Sequence, residues 1–291
     1  RPFPSACPPH MPQPSPTTTT LEHASHQPLN RLVVLGAAPL LMALALWLNG
    51  PIEQWASYHH FADVHALWGM PNAANVLSNL PFLWLGIWGW AALRQPHAHR
   101  MLNDPPPSPS LLAWMLVALA IACTCFGSAY YHWSPTNATL LWDRLPIAWA
   151  CASVSMALLA ERVHPRFGSA WFLSASMVVA TLSVAWWWWT LAPQGPLPGG
   201  DLRPYLFVQF LPMLLIPLVF CMKLPAQHPH AIPASAAWWA LGLYAVAKLL
   251  EVGDHATLEM LHVMGGHPLK HLFAAAGAAV LMRAAAAQGR R

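Results

Sequence analysis

The chain has 291 residues, of which 56% are hydrophobic and only 8% are charged. Soluble domains carry roughly 25% charged residues, so this composition excludes an ordinary water-soluble protein and points to the membrane. The net charge of +4 is small and the basic residues are scattered, which leaves no basic stripe for nucleic acid.

Residues 1–30 are rich in Pro, Ser, Thr and His and read as a disordered tail. They contain no apolar h-region, so they are not read as a signal peptide, and Met11 is a candidate start. Eight apolar segments of roughly spanning length follow, at about 32–48, 76–93, 111–131, 140–160, 170–190, 204–222, 236–252 and 268–283. The expected class is therefore an all-α, polytopic membrane bundle. Pro and Gly punctuate the loops, as in Pro105–Pro107 and Pro196–Gly200, and there is no internal repeat. Cys7, Cys123, Cys125, Cys151 and Cys221 form no disulfide or metal framework and read as small core residues. The run Trp186–Trp189 reads as an interfacial anchor.

Lys and Arg set the expected orientation. The N-terminal tail, the second, fourth and sixth loops and the C-terminal end hold Arg1, Arg31, Arg94, Arg100, Arg162, Arg166, Lys223, Arg283, Arg290 and Arg291, which is ten of the 14 basic residues. The positive-inside rule then places both termini in the cytoplasm. With that orientation, polar residues gather at the non-cytoplasmic ends of the helices. Ser78 opens the second span, Ser128 and His132 close the third, and Asp143 opens the fourth. Lys248, Glu251 and Asp254 close the seventh, and His267 and His271 open the eighth.

His267 and His271 are four residues apart, so one helix face presents both imidazoles, and Pro268 suits a first helical turn. His132, at the same depth, is the best candidate for a third ligand, and three histidines with one water make an open catalytic zinc site. Zinc lowers the pKa of its water to about 7. Ser128, four residues before His132, could donate to an oxyanion or a water. Asp143 could take a proton from that water and deliver it to a leaving amine. The plain alternative is a set of interfacial histidines without metal. Arg144 and Lys270 read as snorkelling or pairing residues, and Lys248 and Glu251, at i and i+3, as a neutralising pair.

Five stretches resemble the alkaline ceramidase-like family: "PNAANVLSNLPF" (71–82), "GSAYYH" (127–132), "WDRLP" (142–146), "AKLLEVGD" (247–254) and "GHPLKHL" (266–272). The family belongs to a larger group of membrane hydrolases with a Ser-xxx-His, Asp and HxxxH signature, which also includes the adiponectin-receptor-like proteins. This version resembles its bacterial branch, hence an inner-membrane protein. The resemblance implies a seven-helix core at residues 55–284, preceded by an extra transmembrane helix at 31–54 and followed by a short basic tail at 285–291. It implies that His132, His267 and His271 ligate Zn2+, that Asp143 handles the water, and that Ser128 stabilises the oxyanion. The implied reaction is hydrolysis of a lipid amide, ceramide or a ceramide-like acylated lipid, drawn from the bilayer, with no protein partner implied. One feature departs from the pattern. Asn72 stands where the calcium site of the animal enzymes has a glutamate, and Asp63 is the one carboxylate in the upstream stretch "SYHHFADVH" (57–65), so the resemblance gives little support to Ca2+. His59, His60 and Asp63 could instead form a different site or cap the cavity. A receptor-like protein with a structural zinc site and a proton or metal transporter are the competing expectations.

Overall fold

The computed structural model describes residues 29–98, 108–229 and 231–287. Among these there are ten α-helices and no β-strand. They are α1 (Leu29–Leu48), α2 (Ala73–Leu77), α3 (Leu80–Ala98), α4 (Leu111–Trp133), α5 (Asn137–Arg162), α6 (Ala170–Thr190), α7 (Arg203–Cys221), α8 (Ala234–Val252), α9 (Asp254–Leu261) and α10 (Gly266–Ala287). Every one of the eight expected apolar segments is helical, the second being formed by α2 and α3 together. The expectations for the N-terminal tail up to residue 28, Cys7, the Pro105–Pro107 loop and residues 288–291 lie outside the described residues.

Six of the helical stretches are long and apolar enough to cross a membrane: α1, α2 with α3, α4, α6, α7 and α10. The chain is thus a multi-pass membrane protein. The 26-residue α5 would span about 39 Å. It carries Asp143, Arg144, Glu161 and Arg162, and the 19-residue α8 carries Lys248 and Glu251. Their charges cost them apolarity, and the bundle hides most of those charges from lipid. Asp143, Arg144 and Glu161 are all buried. The helix richest in charge sits at the centre, where α5 packs against α4, α6 and α7, while α10 closes the bundle against α8 and α3. Leu40, Trp84, Trp171, Val178 and Leu182 point outward, as a lipid-facing rim requires.

α1 lies outside this bundle, against α7. It is tied there near both ends, by Arg31 Nη1 donating to the Lys223 carbonyl at 3.4 Å and Arg203 Nη1 donating to the Trp47 carbonyl at 3.1 Å.

The close approach of α4 and α5 depends on two residues. A Cβ on Gly127 would lie 2.1 Å from the Trp142 carbonyl oxygen. That carbonyl is the one left without a helical donor by Pro146, four residues on. Bare Gly127 and the freed carbonyl therefore meet, which brings the end of α4 against the start of α5. Gly127→Ala is expected to destabilise the fold by about 1–3 kcal/mol through overpacking. Circular dichroism melting in detergent reads this directly, and an unchanged melting temperature would contradict it.

At the opposite end of α5, Glu161 is wholly buried and fully partnered. It accepts from Ser110 Oγ and Trp114 Nε1 at 2.8 Å each and from the Ile232 backbone N–H at 2.8 Å. The sequence reading did not single out this residue, which joins α4, α5 and the approach to α8.

Two expectations need correction. Trp187 is not an interfacial anchor, because it is completely buried, whereas Trp189 does face outward. Of the four described cysteines, Cys125 is a buried core residue but Cys221 is exposed on the rim, and all four are free thiols.

Candidate active site

The ends of α4 and α8 and the starts of α3, α5 and α10 converge, so polar residues distant in sequence meet at one end of the bundle. His132 ends α4, and His267 and His271 lie in the first turns of α10. All three are buried, and one ring nitrogen from each lies within 4.8 Å of the others. The ring centroids are 4.9 Å apart for His132–His267, 4.9 Å for His132–His271 and 5.2 Å for His267–His271. Both nitrogens of His132 and the Nε2 of His267 are buried without a hydrogen-bond partner. Buried imidazole nitrogens are rarely left so, and three lone-pair donors facing one point suit a metal ion. This cluster could hold such an ion, and imidazole donors fit zinc.

The groups around the cluster orient it. Ser78 Oγ donates to the Asn75 carbonyl at 3.0 Å and lies 2.8 Å from His271 Nδ1. The serine proton is therefore committed, so His271 carries its proton on Nδ1 and turns Nε2 towards the other rings. Asp254 accepts from the His267 backbone N–H with one oxygen, at 2.8 Å, and from the Ala62 N–H with the other, at 2.9 Å. One carboxylate thus ties the start of α10 to the segment that roofs the site. From that segment Phe61 packs 4.7 Å from the His132 ring and 4.5 Å from the His267 ring. Gly266 lets α10 start close to α8, since a Cβ there would meet the Leu250 carbonyl at 2.2 Å.

Asn72 donates from Nδ2 to the His132 carbonyl at 2.9 Å. Asp63 accepts from the Nδ1 and the backbone N–H of His65 at 3.0 and 3.2 Å. His59 lies 2.9 Å from the Tyr131 hydroxyl through Nδ1 and 2.9 Å from Asn137 Oδ1 through Nε2. Burial holds His59 below the usual histidine range, and its Nε2 donates to Asn137 Oδ1, which can only accept. His59 and Asp63 are thus each held by partners of their own, and among the described residues they join no group of three metal-binding side chains.

Below the histidines runs a cavity of about 320 Å³. Its polar end holds Ser128, Asp143 and His271, with Lys248, Glu251 and Lys270 alongside, and its deep part is lined by residues such as Val154, Pro212, Ile216 and Leu281. The Ser128 hydroxyl faces the Asp143 carboxyl, whose Oδ1 is buried with no partner. Glu251 pairs with Lys248 as expected and also with Lys270, at 2.6 Å. Lys270 therefore does not snorkel but completes a three-member ion cluster. Arg144 does not snorkel either, being only 4% exposed, and no carboxylate pairs with it among the described residues.

The sequence reading missed Phe61, and it saw Ser78 and Asp254 only as helix-end polar residues. Their signal lay in the motifs around them, but their partners are 193 and 13 or more residues away.

Residues 68–196 match the sequence model of the family described as Ceramidase. That stretch contains Ser78, Ser128, His132 and Asp143, while His267 and His271 lie outside it and join them through the fold. No curated protein matches the chain.

Proposed function

The chain belongs to an alkaline ceramidase-like family, and on that premise we propose that it is a zinc-dependent membrane hydrolase of lipid amides, ceramide or a ceramide-like acylated lipid. The observation that carries this reading is the meeting of three buried histidines, two of them with unpartnered ring nitrogens, with Asp143 and Ser128 at the head of an apolar cavity. His132, His267 and His271 would hold the zinc, which when bound supplies an activated water and polarises the amide carbonyl. The remaining chemistry belongs to the chain. The unpartnered Oδ1 of Asp143 takes a proton from the attacking water and returns it to the departing amine nitrogen. The Ser128 hydroxyl donates to the oxygen that gains charge as the carbonyl becomes tetrahedral. The apolar depth of the cavity holds the acyl chain, and water is kept out by the Phe61 roof.

Access fits a lipid arriving sideways. α7 and α8 both line the cavity yet touch each other at few positions, and a Gln209–Tyr244 hydrogen bond of 3.1 Å crosses between them. In this reading residues 55–284 form the seven-helix core and α1 is an added span, making eight crossings. The termini are cytoplasmic and the site faces the other side. A transport path is disfavoured, since the deep cavity is apolar and the buried Glu161 has all its partners outside it.

The direct test is fatty-acid release from N-acyl lipids by detergent-purified protein, before and after chelation. Release that stops on chelation and returns with zinc supports the proposal, and release insensitive to chelation sinks the zinc assignment. Ser78→Ala is expected to weaken zinc binding by about 10–100-fold, the usual effect of removing a histidine's orienting partner. Competition with a chromogenic chelator measures this, and unchanged affinity would show that Ser78 does not orient His271.

A further inference from the structure

Arg144 follows Asp143 by one position and so leaves α5 in a different direction. Its Nη2 donates to Gln54 Oε1. Its guanidinium carbon lies 4.0 Å from the Trp187 ring centroid, 5.3 Å from Tyr205 and 5.6 Å from Tyr58. These contacts occupy the faces of the guanidinium and one of its ends. They leave Nη1 buried, without a partner, in a side chain that lines the cavity and is only 4% exposed.

A guanidinium is always charged, so a purely structural one at this depth needs an anion. The same protein shows what that looks like. Arg203 has the Asp201 carboxylate on both its Nε and its Nη2, at 2.9 and 2.8 Å, and Glu251 takes two lysines. Arg144 alone of the cavity's cations has no carboxylate. The polar end of the cavity carries Arg144, Lys248 and Lys270 against Asp143 and Glu251, which leaves one positive charge over. The aromatic cage and Gln54 explain how the cation is held in place, but give its buried Nη1 no acceptor.

We propose that Arg144 binds an oxyanion, a carboxylate or phosphate, in the head of the lipid substrate, and so selects anionic N-acyl lipids over neutral ones. This rests on the amide-hydrolase reading. A planar fork held by the rings of Trp187, Tyr205 and Tyr58 recognises such a group at little entropic cost.

The test uses the full-length, zinc-loaded protein in a neutral detergent and four probes. These are N-oleoylglycine, O-phospho-N-oleoylethanolamine, neutral N-oleoylethanolamine, and oleate as the product carboxylate. Binding is read from quenching of tryptophan fluorescence, and hydrolysis from liberated amine. The expected result is that at least one anionic amide is preferred over the neutral one by about tenfold or more in both readouts, the better of the two telling carboxylate from phosphate. Arg144→Met brings that ratio to about one, chiefly through KM, whereas Gln54→Ala, which removes the tether but not the cation, keeps it. If Arg144→Met is not monodisperse, the wild-type ratio decides. A wild-type ratio near one overturns the inference, as does a Met variant that lowers anionic and neutral lipids equally, or a Gln54→Ala variant that also loses the preference. Oleate bound as tightly as N-oleoylglycine, with equal hydrolysis of all three amides, would assign Arg144 to the product and overturn the substrate inference. Anion-selective binding that Arg144→Met abolishes, with no hydrolysis of any probe, would leave the lipid anion site standing and defeat the hydrolase reading instead.

Discussion

His271→Ala is expected to fold and to retain about a tenth of the wild-type zinc or less after detergent purification, with fatty-acid release falling below detection. The expectation rests on donor geometry. His271 presents Nε2 because Ser78, itself bound to the Asn75 carbonyl, fixes the proton on Nδ1. Alanine leaves His132 and His267 as two buried imidazoles, and two neutral donors hold zinc far more weakly than three. Loss of an orienting partner alone costs about 10–100-fold in affinity, so loss of a ligand exceeds that. The fold is expected to survive, because the α10 start is tied by Asp254 through the His267 backbone and not through the His271 ring. Metal content by mass spectrometry beside gel-filtration profile decides the matter. One zinc per chain retained in His271→Ala would remove the ligand assignment. Zinc lost along with a collapsed elution profile would call for His267→Ala as the second variant, judged by the same criterion.

The second large effect separates chemistry from metal binding. Asp143→Asn should keep zinc at the wild-type level while kcat falls by about 10²–10⁴-fold with KM little changed. Asn has the shape of Asp but cannot accept the proton of the attacking water. Asp143 Oδ1 is buried and unpartnered beside Ser128 in the cavity, not among the three histidine nitrogens. Single-turnover release of fatty acid, paired with metal analysis of the same sample, checks both halves. If Asp143→Asn loses zinc, Asp143 acts in the metal shell. If it turns over at the wild-type rate, the proton moves through another group.

The helical class was legible because lipid imposes a strong rule, namely long apolar runs with backbone bonds closed inside each segment. The eight segments are all helices for that reason. The pair His267 and His271 was legible from spacing alone, since i and i+4 share a helix face whatever the rest of the fold does. The charged residues were harder to read. Lys270 looks like any interfacial lysine in one dimension, yet it pairs with Glu251, 19 residues earlier on another helix. Trp187 sits in a run of four tryptophans that resembles an interfacial belt, but the helical turn points it inward, over Arg144, while Trp189 faces out.

By itself, then, the sequence determined that this is a membrane bundle, where its helices lie, and which residues share one helix face or one end. Those properties follow from hydropathy and from the 3.6-residue period, and both are local. Only the tertiary structure decided that His132 joins the α10 pair, that Ser78 and Asp254 orient that cluster, and that Asn72 holds the His132 carbonyl. It also decided that Arg144 is buried with no acid paired to it among the described residues. Each of these depends on how closely separate helices approach, through contacts such as Gly127 on the Trp142 carbonyl and Gly266 on the Leu250 carbonyl. Inter-helix distance is set by side-chain volume across the whole interface, which no local pattern encodes.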